Sequence, residues 1–110
     1  MTLPVRVLAE ADEEVDHAIG YYELESPGTG KRFLNAYAEL LTHASAFPRA
    51  GTRLVDYEVA DCEIRAFMVS TTFPYTVFAA VLPDQLVVLA VAHQHQEPGY
   101  WKKRLSELDR

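Results

Sequence analysis

Two apolar runs dominate the alternation of hydrophobic and polar positions, Tyr75–Leu82 and Leu86–Ala92, both rich in valine with phenylalanine, tyrosine and leucine among them. Runs of that length and composition favour strands over helices. Between them lies Leu82-Pro83-Asp84-Gln85. Proline pre-sets φ for the second position of a β-turn and aspartate suits the next, so the pair reads as a hairpin. Nearly every position in both runs is apolar, which predicts a central place in a sheet covered on at least one face. Upstream, Leu3–Leu8 reads as a short first strand. A helix is expected from near Glu10, with Ala11, Val15, Ala18, Ile19 and Tyr22 at helical spacing on one face. Ser26-Pro27 reads as the start of a second helix, serine as N-cap and proline in the first turn. Gly28 and Gly30 permit the tight reversal between the two helices. Phe33, Tyr37, Leu40, Leu41 and Ala44 form the second stripe, and Pro48 ends it. Ala50-Gly51-Thr52 signals a turn. A strand is expected to begin near Arg53 or Leu54, and another to cover Asp61–Ser70, where Cys62, Ile64, Ala66 and Met68 alternate with Glu63, Arg65, Phe67 and Val69. A short helix should follow Pro98. The resulting order is β-α-α-β-β-β with a short terminal helix: an α+β fold in which a helical hairpin covers one face of a mainly antiparallel sheet.

Length and composition add a frame to this pattern. A chain of 110 residues is the size of one domain. The lone Cys62 has no partner for an internal disulfide, which suits a reducing compartment, and its ordinary fate is that of a small buried hydrophobe. The sequence shows no basic start followed by an apolar segment, and Leu86–Ala92 is far too short to span a bilayer. The expectation is a soluble cytoplasmic protein that meets no membrane.

Charge changes the picture more. The formal net charge is −6, and Glu10, Asp12, Glu13, Glu14, Asp16, Glu23 and Glu25 fall in one stretch with no lysine or arginine among them. Acids early in a helix complement its dipole. The remainder form a solvated face, or a surface that repels nucleic acid and attracts a basic partner. Lys102, Lys103 and Arg104 make the one basic run. Nothing in the sequence accounts for Lys31 and Arg32, which sit where a helix start disfavours positive charge. The segment SPGTGKR lacks the spacing of a phosphate loop.

Three arrangements of candidate chemistry stand near the mouth of the apolar hairpin. His93-x-His95 with Glu97 offers ligands for a metal, but too few for a fixed site, and neither metal nor cofactor is expected. Arg65, His93 and His95, with Tyr100, could compose an acid–base centre: an imidazole to take a hydroxyl proton and a guanidinium to stabilise a phosphorane-like transition state. Alternatively these groups are structural, with Tyr100 and Trp101 packing the last helix onto the sheet.

The ordered set YYE, SPG-x-G-x-RFL, FP-x-x-G, FPY, LAV-x-H and P-x-YW resembles the RelE/ParE toxin superfamily, small bacterial proteins also called plasmid stabilisation proteins. The resemblance covers nearly the whole chain. It implies the α+β fold above and a toxin of a type II toxin–antitoxin pair, neutralised by a cognate antitoxin whose tail wraps the helical hairpin and sheet. Candidate partner-binding residues are then Tyr22, Phe33, Tyr37, Tyr100 and Trp101. Some relatives cleave mRNA on the ribosome with Arg, Lys, Tyr or His side chains, and Arg65 and His93 stand at comparable places. ParE-like relatives poison DNA gyrase by protein contact instead. The shortage of Lys and Arg between Arg49 and Lys102 favours the ParE-like reading, with little ribonuclease activity, over ribosome and mRNA as targets. The acidic surface also leaves room for an inert member that serves as a binding module.

Overall fold

The computed structural model describes residues 2–58 and 62–108. Its strands are β1 (Val5–Val7), β2 (Thr52–Arg53), β3 (Glu63–Met68), β4 (Tyr75–Val81) and β5 (Leu86–His93); its helices are α1 (Ala9–Glu25) and α2 (Thr29–Ala46). They build one five-stranded sheet in the order β1-β5-β4-β3-β2. Only β1–β5 is parallel, with Val5 opposite Leu86 and Val7 opposite Val88. The apolar hairpin β4–β5 forms through the expected turn, closed by the Leu82 N–H donating to the Gln85 carbonyl at 2.9 Å. The fold is the predicted α+β arrangement.

Both faces of β5 are covered, which explains why its sequence lacks alternation. The helical hairpin lies on one face, where Ala11, Val15, Phe33 and Tyr37 meet Val77, Val88 and Val91. On the other face Trp101 packs with Ile64, Ala80, Val87 and Leu89. The segment carrying Trp101 runs into a 3-10 helix over Lys102–Leu108 rather than an α-helix. Its closing bonds span three residues, Lys102 N–H to Gly99 O and Arg104 N–H to Trp101 O.

Two expectations are corrected. Ser26-Pro27 does not open the second helix. Ser26 closes α1, its N–H donating to Tyr22 O at 3.0 Å, and α2 starts at Thr29 behind Gly28. Gly28 has φ of 91°, a left-handed turn that serine would not supply. The free N–H groups at the start of α2 are capped from outside. The Glu23 carboxylate accepts from Gly28 N–H at 3.0 Å and from Gly30 N–H at 3.1 Å. A Cβ on Gly30 would lie 2.7 Å from the Ile19 carbonyl oxygen, so the two helices approach closely there. The second correction concerns β3. Met68 shares the alternation of Ile64 but is exposed, because the cluster that Trp101 builds over Ile64 does not extend to that end of β3. Asp61, expected to begin this strand, lies outside the described residues.

The β4–β5 ladder contains one irregularity. Phe78 pairs with Ala90, while Ala79 pairs with Val88, so Leu89 is an extra residue in β5. Such a bulge frees backbone groups from the ladder and bends the strand locally.

Candidate functional site

Beside the bulge, where pairing with β1 has ended at Val88, the open edge of β5 meets a polar knot centred on Glu14. Its Oε1 accepts from Val91 N–H at 2.8 Å, and its Oε2 accepts from the Tyr100 hydroxyl at 2.7 Å and from Arg104 Nη2 at 3.0 Å. Arg104 Nη1 also donates to the Leu89 carbonyl at 2.9 Å. Val91, Tyr100 and Arg104 thus converge on Glu14, with Leu89 O as a second acceptor for Arg104. Glu14 stands one turn from Ala11 and Ala18, on the apolar face of α1. An acid on that stripe is the one sequence signal that could have marked it. Reading it as part of a solvated acidic run missed it, and reading Arg104 as part of a basic surface patch missed its partner.

The knot forms one wall of a cleft of about 410 Å³, lined further by His17, Tyr21, Tyr75, His93 and Gln96. His93 ends β5, and its ring packs edge-on against Tyr75 at 5.2 Å. Its Nδ1 accepts the His95 backbone N–H at 3.1 Å, while the His93 backbone N–H donates to Gln96 Oε1 at 2.8 Å. A neutral His93 is thereby assigned its proton on Nε2. His95 lies in the exposed turn beyond the strand, its ring 5.0 Å from that of His93.

Arg65 belongs to a different part of the sheet. It sits opposite Ala79, whereas His93 sits opposite Tyr75, four residues further along β4 and two strands away from Arg65. The offset along the strand alone is about 13 Å. The guanidinium is also engaged: Nη1 donates to Gly51 O at 2.9 Å and Nη2 to Glu63 Oε1 at 3.1 Å. The structure brings His93 and His95 together and holds Arg65 apart. Among the described residues no three His, Cys, Asp or Glu side chains converge as a metal site.

Of the five aromatic residues marked for a partner, three lie in the core and two are half-buried. Phe33, Tyr37 and Trp101 are buried, and Tyr22 is half-buried against Phe33, Phe73 and Tyr75. Tyr100 is tied to Glu14. The apolar side chains actually on the surface include Tyr21, Leu24, Phe47 and Val55, with Leu24 91% exposed.

Burial sets the titration of two tyrosines. It pushes the Tyr37 hydroxyl up to about 12, helped by the nearby charge of Asp12. Burial pushes Tyr100 up still further, with Glu14 holding its proton. A phenol raised above its unfolded value near 10 stabilises the fold fully below that value, and loses the contribution as pH rises through its folded pKa. Absorbance titration should therefore show these two ionising last, together with unfolding, between pH of about 10 and 12. Ionisation of all the tyrosines in one step near 10, with structure intact, would contradict the assignment.

A mixed sheet of β-α-α-β-β-β-β order, with a helical hairpin on one face and a tethered terminal segment on the other, defines a small α+β protein. Residues 5–98 match the family described as ParE toxin of type II toxin-antitoxin system, parDE. The chain belongs to that family, which makes it a type II toxin–antitoxin toxin and implies an antitoxin as its partner. A search of curated proteins gives no match. No helix of the described residues is long and apolar enough to cross a membrane.

Proposed function

We propose that this toxin acts in the cytoplasm by protein–protein contact, with DNA gyrase as its target, and is silenced by a cognate antitoxin laid over the helical hairpin and adjoining sheet. The observation that carries the reading is the state of Arg65. Its guanidinium is ion-paired to Glu63, bonded to backbone carbonyls, and remote from both histidines. A transition-state clamp must reach the reacting phosphate. The basic run is depleted as well, since Arg104 is spent on Glu14 and Lys102 lies over the Tyr57 ring at 5.5 Å. The acids of α1 add long-range repulsion toward RNA.

Purified protein should inhibit gyrase supercoiling, and addition of the protein encoded by the adjacent reading frame should restore it and give a co-purifying complex. Translating ribosomes should show no mRNA cleavage. Robust cleavage that falls by ~10²-fold or more in Arg65→Ala or His93→Ala, the usual scale for an acid–base group, would install the ribosome-dependent nuclease instead.

A further inference from the structure

The outer face of α1 carries a groove that the fold leaves uncovered. It has a volume of about 610 Å³ and is lined by Asp16, His17, Gly20, Tyr21, Glu23 and Leu24. It borders the cleft beside His93, the two having His17 and Tyr21 in common. Leu24 is 91% exposed and Tyr21 is 53% exposed, although neither belongs to the stripe that packs on the sheet.

Gly20 is the informative residue. It lies inside α1, where glycine is the poorest helix former after proline. Gly30 has a steric reason to be glycine, but a Cβ on Gly20 would meet nothing within 4 Å. Its φ is not left-handed either. No contact among the described residues asks for this glycine. A notch flanked by an exposed leucine and tyrosine fits a helix surface that another backbone approaches closely.

The charge around the notch selects what approaches. Asp12, Glu13 and Asp16 are exposed, and the ion pairs among the described residues include none of them. No lysine or arginine occurs between Arg6 and Lys31. Nucleic acid and anionic lipid are repelled by such a rim. We infer that the α1 groove receives a basic amphipathic segment of a protein partner, its apolar side chains on Tyr21 and Leu24, its backbone against Gly20, and its Lys or Arg side chains on Asp16 and Glu13. Resting on the reading above, this segment belongs to the antitoxin.

The test uses the full chain with two labelled helical probes, an amphipathic Lys/Leu peptide and a Glu/Leu peptide of the same length. The Lys/Leu probe should bind and the Glu/Leu probe should not. Binding should weaken as salt screens the rim, over about 8 Å at physiological ionic strength. Gly20→Leu and Asp16→Lys should each weaken it by about 30-fold, the scale of losing one interface hot spot. Gly20→Ala should hold or raise the thermal midpoint while still weakening the probe, which separates docking from folding. Equal binding of both probes, indifference to Gly20→Leu, or a groove found buried between two copies in solution would overturn the inference. If the adjacent-frame protein forms its complex but fails to displace the Lys/Leu probe, the groove is not the antitoxin site and the inference falls while the toxin–antitoxin pairing stands. If that protein forms no complex but Gly20→Leu still abolishes probe binding, the groove stands and the pairing falls.

Discussion

Glu14→Ala should destabilise the protein by about 3 kcal/mol, the low end of what removing one partner from a buried ion pair costs. The low end applies because Glu14 and Arg104 keep 19% and 12% of their side chains exposed. The loss has three parts. Arg104 keeps its charge in a mostly buried place, with the Leu89 carbonyl as its remaining hydrogen-bond acceptor and the Tyr100 ring beneath it. The Tyr100 hydroxyl loses its acceptor, and the Val91 N–H, on the edge of β5 that β1 does not reach, is left without a partner. For a chain of this size the thermal midpoint should fall by roughly 10–20 °C. Glu14→Gln separates charge from geometry. Its amide oxygen can still accept from Val91 or Tyr100, so it should lose less than alanine. Urea unfolding of the three proteins provides the measurement, and a loss under about 1 kcal/mol for Glu14→Ala, the surface ion-pair scale, would show the knot to be decorative.

Trp101→Ala should cost about as much or more, roughly 3–5 kcal/mol, from an unrelated cause. The indole is 1% exposed, stacked on Phe78 with ring centres 4.9 Å apart, and touches Tyr57 at 5.2 Å. Removing it opens a cavity over Ile64, Val87 and Leu89, on the face that the helices do not reach. Trp101→Phe should cost far less. It keeps a ring on Phe78 and deletes the indole N–H, which is buried without a hydrogen-bond partner among the described residues. Equal losses for the alanine and phenylalanine variants would mean that the full width of the indole, rather than a ring on Phe78, holds the segment.

The residues that declared themselves in the sequence are those whose environment is local or periodic. Pro83-Asp84 marks its own turn, and the two helical stripes repeat at a spacing that only one face satisfies. What stayed hidden depends on partners distant along the chain. Glu23 caps α2 because the helices fold back, and no N-cap preference for Ser26 could announce that. The bulge at Leu89 is a matter of register with β4, and Glu14 reaches it across 77 residues. Phe33, Tyr37 and Trp101 read equally well as core or as contact surface, since hydrophobicity does not say which layer will cover it. Leu24 was the readable exception. It lies off the α1 stripe, and an apolar residue there already points outward.

The long reach of Glu14 has a consequence for how the toxin comes into being. Its bonds to Tyr100 and Arg104 span 86 and 90 residues, and β1 finds its only strand partner in β5, with Val5 beside Leu86. Contacts between segments so far apart must wait for loop closure, which makes folding slow relative to a helical protein of equal size. During synthesis the first strand and the inner wall of α1 stay unmatched until residues 86–104 have left the ribosome. A nascent toxin is thus obliged to pass through a stage in which its helical hairpin exists without the sheet edge and polar lock that complete it. On the proposed docking of the antitoxin to that hairpin, an antitoxin already present would meet it before the toxin is finished, and inhibition would begin as an event of assembly rather than as the capture of a mature poison.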